Sequence, residues 1–275
     1  MALIRQPFSA VRRTAVEVKH YRRIRRIIPL LIGLLIALLA LVYIISLLFS
    51  RYGSFTVAAQ DYAGKNASGF SLSLSDKYDF LHPTSYLNTN AVKELTNIDG
   101  QKLPASGLND VDGSHNGDNY MAYTFYVKNS GTKECTYEYN LTIAKKTRAL
   151  DECIRVRVFY NPRYFDSDNP DDINYDNSYV DYAKPALGGG GSPEVDPENR
   201  VMTNFFNGNT VMRGQTDHFK PGDVAKVTVV IWIEGNDPDC TDDKLGGEFK
   251  LDMTFTILDE ENDAGETETE TESES

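Results

Sequence analysis

Hydrophobic positions along the chain follow two different patterns, and the first is one long apolar run. Residues 27–49 contain no charged side chain. At 1.5 Å per residue, a helix over this run is about 35 Å long, enough to cross a hydrocarbon core of ~30 Å. The run predicts a transmembrane helix over 27–49. A cleaved signal peptide is the alternative, although its apolar region usually spans only about 7–15 residues.

The second pattern is a series of short segments rich in β-branched and aromatic residues, several of them alternating between apolar and polar positions. Tyr137, Tyr139 and Leu141, for example, alternate with Glu138 and Asn140. Strands are predicted over residues 54–59, 69–74, 120–127, 135–143, 154–160, 201–206, 224–233 and 248–257. One short helix is predicted over residues 90–98.

The connections between these strands are turn-rich, and no long amphipathic helix separates them. Asn129 and Gly131 supply a tight turn between two strands, which predicts a hairpin there. The predicted fold class is mainly β, an antiparallel β-sandwich (jelly-roll-like) ectodomain after one N-terminal transmembrane helix. Residues 166–176 and 187–193 are read as long surface loops of one domain, and a division of the body into two domains is the less favoured alternative.

Charge around the apolar run predicts the orientation of the chain in the membrane. Residues 1–26 contain eight basic side chains and one acidic side chain, Glu17. Because basic residues next to a span stay on the cytoplasmic side, the N-terminus is predicted inside the cell and the C-terminus outside, in the plasma membrane. The predicted organisation is a basic cytoplasmic segment 1–26, a transmembrane helix 27–49, an extracellular domain 50–258 and a disordered acidic tail 259–275.

The predicted exterior is strongly acidic. The whole chain carries −12 and residues 1–26 carry +7, so residues 27–275 carry −19. A surface that binds nucleic acid needs cations to neutralise phosphates, so this charge argues against DNA or RNA as a partner.

Cysteines and catalytic motifs add few constraints. The chain has only Cys135, Cys153 and Cys240. One disulfide with one thiol and three buried thiols both remain open, and spacing alone selects no pairing. The HExxH, GxSxG and CxxC motifs are absent, so no catalytic residues are predicted and the protein is not expected to be an enzyme.

Acidic turns suggest calcium as the one candidate cofactor, because calcium binds six to eight oxygen ligands. The best candidate ligands are Asp237, Asp239, Asp242 and Asp243, which directly follow an apolar strand that would hold them rigidly. None of the acidic turns matches an EF-hand loop, and solvated turns are the alternative reading. Trp232, the only tryptophan, lies in that apolar strand and is predicted to be a core residue.

Two segments carry a resemblance to a known group of proteins. Residues 112–131 (DGSHNGDNYMAYTFYVKNSG) and 219–253 (FKPGDVAKVTVVIWIEGNDPDCTDDKLGGEFKLDM) resemble uncharacterised membrane-anchored extracellular proteins of anaerobic Firmicutes. The order of anchor, GSF sequence and YxFxVKNxG-like strand is more distantly similar to the TasA and camelysin surface proteins. That similarity implies a β-sandwich with a structural surface role. Proteins of that group are released by a dedicated signal peptidase. This chain departs from the group, because no convincing cleavage site follows its anchor.

These features together predict a membrane-anchored structural, adhesive or binding module of the bacterial cell surface. The expected partners are the lipid bilayer, through residues 27–49, and a surface protein or envelope polymer. The alternative function is a cation- or ligand-sensing ectodomain that signals through its single span.

Overall fold

A computed structural model describes residues 28–29, 31–43, 55–60, 68–89, 92, 94–186, 190–196 and 199–258. The predicted segments 1–26 and 259–275, and the ends of the predicted 27–49 helix, lie outside the described residues. Contacts divide the chain into two compact units, Met1–Arg51 and Tyr52–Ser275.

Residues 28–29 and 31–43 of the first unit are α-helical. Every side chain of these two stretches is exposed, including the large apolar side chains of Leu34 and Leu39. Among the described residues, no helix is both long enough and apolar enough to cross a membrane.

The second unit is mainly β, and its described part contains twelve strands. They are β1 (Phe55–Gln60), β2 (Leu72–Ser75), β3 (Tyr86–Asn88), β4 (Gly113–Ser114), β5 (Tyr120–Asn129), β6 (Cys135–Lys146), β7 (Ile154–Phe165), β8 (Val180–Ala183), β9 (Thr203–Asn204), β10 (Thr210–Phe219), β11 (Val224–Ile233) and β12 (Phe249–Ile257).

The strands form two mixed sheets. One has the order β10-β6-β12-β1-β3, and the other has the order β2-β5-β11-β7-β8-β9 with β4 paired to β5. The prediction of purely antiparallel pairing is wrong, because β1 is parallel to β12 and β8 is parallel to β9. The β1 and β12 strands begin and end the described β region, so the chain between them provides the crossover that a parallel pair requires.

Side chains from both sheets form one hydrophobic core. Phe125 of β5 lies with its ring centroid 6.1 Å from that of Phe55 on β1 and 6.0 Å from that of Phe255 on β12. Strand β11 is paired on both sides, with β5 and β7, and is buried along almost its whole length. Both faces of β11 are buried, since Val229 and Ile231 belong to this core and Val230 belongs to a separate cluster, which explains why the sequence of β11 is almost continuously apolar.

A second, smaller cluster lies on the opposite face of the β5-β11-β7 sheet. It consists of Leu103, Leu108, Ala122, Phe159, Val230 and Trp232. Trp232 is 1% exposed, so the prediction that it is a core residue is confirmed.

The predicted hairpin between β5 and β6 is wrong, because the two strands belong to different sheets. The turn itself is tight: the Asn129 side chain donates to the carbonyl oxygens of Lys133 and Phe219 and accepts from the amide of Gly131. After this turn the strands separate, since β5 pairs with β11 over nine register positions and β6 pairs with β12 and β10.

The predicted helix over residues 90–98 is also wrong, because residues 92 and 94–98 are not helical. Ile98 instead bridges in parallel to Glu234, with its amide donating to Ile233 and its carbonyl accepting from Gly235. Backbone pairing with the end of β11 therefore replaces the local helix.

Candidate functional site

The acidic turn after β11 is held by backbone hydrogen bonds to neighbouring elements. The amide of Glu234 donates to the carbonyl oxygen of Cys153 over 2.8 Å, directly after the Ile154–Ile233 register pair. Within the turn, the amide of Asp239 donates to the Asp237 carboxylate over 2.8 Å. The turn is therefore fixed to the start of β7, as expected for a turn that follows a buried strand.

Three carboxylates meet at this turn. Oxygens of Glu194, Asp237 and Asp239 all lie within 4.8 Å of one another. Arg155 of β7 reaches the same place, with Nη2 at 2.6 Å from the Asp237 Oδ2 and 3.8 Å from the Glu194 Oε2. The Arg155 and Asp237 side chains are almost completely buried. Burial raises the pKa of Glu194, the negative charges of Asp237 and Asp239 act in the same direction, and Arg155 opposes them.

The four predicted calcium ligands separate into two pairs. Asp237 and Asp239 belong to the carboxylate group, whereas Asp242 and Asp243 lie in the short 3-10 helix Asp242–Lys244 and are exposed. Asp243 accepts a hydrogen bond from the Thr241 hydroxyl and lies 3.9 Å from the Lys244 ammonium. Neither of the two exposed residues is a member of the group.

Sequence reasoning did not identify Glu194 or Arg155 as part of this site. Glu194 lies in a loop with no periodic pattern, and it reaches the turn because β8 and β9 flank this loop at the edge of the sheet. Arg155 occupies a buried position near the start of β7, where Arg155 and Arg157 alternate with apolar residues in the sequence IRVRVFY. A charged residue inside such a strand is the one signal that could have indicated a buried ion pair.

The arrangement supplies only part of a calcium site. If each of the three carboxylates gives one oxygen, the group provides three ligands, fewer than the six to eight that calcium takes. The adjoining cavity, about 40 Å³, is large enough only for a single small ion or water, and its walls include Arg155 and Glu234. The guanidinium already supplies positive charge to these carboxylates. Calcium binding by Asp237, Asp239, Asp242 and Asp243 stays a prediction.

We expect about 1 mM calcium to change the melting temperature of the full-length protein by less than about 1 °C, because a calcium ion would have to compete with Arg155. The measurement is thermal unfolding with calcium and with EDTA. A rise of several degrees that Asp239→Asn abolishes would establish a calcium site instead. Asp243→Asn is the matched control, because Asp243 is exposed and lies outside the carboxylate group.

Another acidic turn, residues 109–113, lies against a group of tyrosines. The Tyr126 hydroxyl donates to Asp112 over 2.6 Å, and the Tyr175 hydroxyl donates to Asp110. Burial raises the pKa of Tyr175, and the hydrogen bond with Asp110 raises it further, to about 12. These carboxylates therefore act as acceptors that orient tyrosines.

We call the resulting patch the tyrosine surface, and it consists of Tyr78, Tyr126, Tyr164, Tyr175, Lys226, Asp110 and Asp112. The centroid of Tyr78 lies 5.7 Å from that of Tyr126 and 5.5 Å from that of Tyr164. Tyr78 is 38% exposed and Tyr175 is 46% exposed, whereas Tyr126 is buried beneath them. The patch thus combines exposed tyrosine side chains with a buried one.

Lys226 forms the polar centre of the tyrosine surface. Its ammonium lies 5.2 Å from the ring centroid of Tyr164 and 5.1 Å from that of Tyr175, and it donates to the carbonyl oxygen of Asn109 over 2.5 Å. Burial lowers the pKa of Lys226, against the opposing influence of Asp112 and Asp110. The cation fixes the two rings and the acidic turn in one arrangement.

Sequence reasoning missed the tyrosine surface because its members come from six separate elements: the turn after β2, the turn before β4, β5, β7, the loop after β7 and β11. A signal was present in the composition, since 16 of the 275 residues are tyrosine. Tyrosine is amphipathic and is enriched where proteins contact other molecules.

The histidines of the described region do not gather into a catalytic group. The ring nitrogens of His115 each lie 2.9 Å from a backbone carbonyl oxygen, those of Gly113 and Leu108. His218 is exposed and pairs with Glu134. The expectation that the protein is not an enzyme stays a prediction.

Comparison with known proteins assigns no family to this arrangement: no family model matches the chain, and no curated protein matches it.

Proposed function

We propose that this chain is a membrane-anchored structural or adhesive binding module of the bacterial cell surface. In this proposal, residues 27–49 are the anchor, residues 50–258 form an extracellular β-sandwich, and the tyrosine surface binds an envelope polymer. No catalysis is required of it. The observation that carries the proposal is the tyrosine surface, in which exposed rings surround a buried cation and two carboxylates.

The chemistry of the tyrosine surface fits an uncharged carbohydrate polymer. The faces of Tyr78 and Tyr175 offer apolar area against which sugar rings can stack. Asp110 and Asp112 supply acceptors for sugar hydroxyls. An anionic polymer fits poorly, because residues 27–275 carry a net charge of −19, which follows from −12 for the whole chain and +7 for residues 1–26.

The anchor rests on the sequence and on one property of the first unit. Residues 27–49 contain no charge, and eight basic residues lie before them within residues 1–26. The helical residues 31–43 expose apolar side chains on all sides, as a helix surrounded by lipid would. The two mixed sheets with one shared core support a β-sandwich, and the resemblance to the TasA and camelysin group favours a surface role.

We expect the double variant Tyr78→Ala/Tyr175→Ala to bind envelope polysaccharide about 10-fold more weakly than the wild type, because it removes two exposed rings worth about 0.5–1.5 kcal/mol each. Cells that produce the full-length chain would be incubated with purified, labelled neutral polysaccharide, and bound label would be measured. Binding to intact cells requires that the body is outside, so the same assay tests the orientation.

The matched control for this experiment is Tyr86→Ala. Tyr86 is 54% exposed on β3, an edge strand of the other sheet. The proposal fails if Tyr86→Ala weakens binding as much as the double variant, or if the wild type binds no polysaccharide. Capture of a surface protein that the double variant loses would assign the tyrosine surface to a protein partner instead.

One observation favours the alternative function of a ligand-sensing ectodomain. A cavity of about 240 Å³ lies between residues 100–109 and the outer face of β7, and it is lined by Arg157, Arg200 and Tyr179. Arg157 already forms a bidentate ion pair with Asp181 and stacks on Tyr179 with Cζ at 3.8 Å from the ring centroid. Because the cations of this cavity are engaged within the protein, the tyrosine surface is the stronger candidate.

A further inference from the structure

Two of the three cysteines meet at the junction of β7 and the turn after β11. Cys153 directly precedes β7, and its carbonyl oxygen accepts the amide of Glu234 at the end of β11. The turn then folds back, since the amide of Cys240 donates to the carbonyl oxygen of Asp237 over 2.9 Å. Backbone pairing therefore fixes the positions of both cysteines.

The two thiols lie close enough to interact. The Cys240 side chain is a hydrogen-bond partner of the Cys153 thiol. Cys240 packs against the hydrophobic core of which Cys153 is a fully buried member. The Cys153 Sγ also lies 3.5 Å from the Leu150 carbonyl oxygen, and the Asn97 Nδ2 lies 4.0 Å from the Cys240 Sγ.

The third cysteine lies far from this pair. Cys135 begins β6, whose other end is Lys146, and a strand of this length extends roughly 35 Å. The Lys146 ammonium lies 2.8 Å from Asp151, two residues before Cys153. Cys135 therefore lies at the opposite end of β6 from the two interacting cysteines.

We propose that Cys153 and Cys240 are a disulfide-forming pair. This modification goes beyond the proposed binding function and does not depend on it. Both cysteines are thiols in this structure, so the bond is a change that an oxidant makes. The pairing also resolves the choice among the three cysteines that spacing alone left open.

The oxidant is a small disulfide such as oxidised glutathione. The Cys240 thiolate attacks it, forms a mixed disulfide and releases one glutathione thiolate. Cys153 then loses its proton and attacks the Cys240 sulfur, which forms the protein disulfide and releases the second glutathione thiolate. The protein loses two electrons and two protons, and the glutathione disulfide gains them.

The order of these steps follows from exposure. Cys240 is half-buried and accessible, whereas Cys153 is completely buried. Burial raises the pKa of Cys153 to about 12, with the neighbouring Cys240 sulfur adding to the effect, so Cys153 is a poor first nucleophile. The accessible sulfur reacts first, and the buried one completes the bond.

The bond would close the long loop that contains β7 to β11. Long loops gain the most from such a closure, so we expect oxidation to raise the melting temperature by roughly 5–10 °C. It would also fix the acidic turn that carries Asp237 and Asp239, because Cys240 ends that turn.

The test is oxidation of the full-length, detergent-solubilised protein with oxidised glutathione. It is followed by denaturing alkylation, intact mass and peptide mapping. We expect the loss of two hydrogens, a cross-linked peptide pair containing Cys153 and Cys240, and the rise in melting temperature. Cys240→Ser should abolish the cross-link and the rise, whereas the control Cys135→Ser should retain both.

Three results would overturn the proposal. One is alkylation of both Cys153 and Cys240 after oxidation, and another is a cross-link that contains Cys135. The third is a stable glutathione adduct on Cys240, which would show that Cys153 cannot complete the bond.

Discussion

Replacement of Arg155 by leucine is expected to lower the free energy of unfolding by about 3–5 kcal/mol, because it leaves buried carboxylates without their compensating charge. Arg155 is 3% exposed and lies 2.6 Å from Asp237 and 3.8 Å from Glu194. Leucine fills part of the volume but donates no hydrogen bond. Urea unfolding followed by circular dichroism measures the change.

The matched control is Arg163→Leu on the same strand. Arg163 is 40% exposed in its side chain and lies 4.0 Å from Asp166, so its removal is expected to cost less than about 1 kcal/mol. The double variant Arg155→Leu/Asp237→Asn is expected to be more stable than Arg155→Leu alone, since it removes one of the stranded charges. Equal losses for Arg155→Leu and Arg163→Leu would contradict a buried ion pair.

The loss caused by Arg155→Leu is expected to shrink as the pH falls. Burial already raises the pKa of Glu194 in the intact protein, and removal of the Arg155 charge raises it further. A carboxyl whose folded pKa lies above its unfolded value of about 4.3 binds protons more tightly in the folded state. The stability of the Arg155→Leu variant therefore falls as the pH rises from the unfolded pKa of Glu194 to its folded pKa, and it recovers as the pH falls back. Identical losses at neutral and mildly acidic pH would exclude this coupling.

Strand positions were predictable from the sequence where apolar residues recur densely along the strand. The predicted range 224–233 coincides with β11, and 248–257 differs from β12 by one residue. Strand β10 was missed, although it is ten residues long. It is an edge strand, and polar residues such as Arg213 and Gln215 on its exposed positions weaken the apolar signal.

Pairing between strands was less predictable than their positions. A tight turn with Asn129 and Gly131 favours a hairpin when only local residues are considered. The actual partner of each flanking strand is distant in sequence, and the choice depends on which pairing buries more apolar area. The same non-local pairing holds Ile98 against β11 in place of a helix.

The acidic site shows the same division between local and non-local information. Asp237 and Asp239 are close in sequence and could be predicted together, whereas Glu194 and Arg155 arrive from other elements. Sequence spacing also suggested Asp242 and Asp243, yet a short 3-10 helix places both in solvent. Spacing identifies acidic turns, but only the fold decides which carboxylates face one another.

Trp232→Ala is expected to lower the free energy of unfolding by about 3–5 kcal/mol, because it removes the largest side chain of the outer cluster. The indole also has a polar role: its Nε1 donates to the Glu234 carboxylate over 3.0 Å, and the amide of Gly100 donates to the same oxygen over 3.1 Å. A methyl group on Gly100 would lie 3.0 Å from that Nε1, so the segment lies tightly against the ring.

Trp232→Phe separates packing from hydrogen bonding. Phenylalanine keeps most of the apolar contact and loses the donor, so we expect a smaller cost of about 1–2 kcal/mol. Urea unfolding followed by circular dichroism measures both variants, since the only tryptophan is absent from each. Equal costs for the two variants would show that the hydrogen bond, and not the packing, dominates.

The same pair of variants tests whether the outer cluster supports the proposed binding surface. Leu108 packs in the cluster of Trp232, and the adjacent Asn109 carbonyl accepts the Lys226 ammonium at the centre of the tyrosine surface. If the cluster positions this segment, Trp232→Ala should increase hydrogen exchange over residues 100–110 and weaken polysaccharide binding more than Trp232→Phe does. Unchanged exchange there would mean that Asn109 is held without the cluster, by its hydrogen bonds with Lys226, Thr228, Asp176 and Asn177.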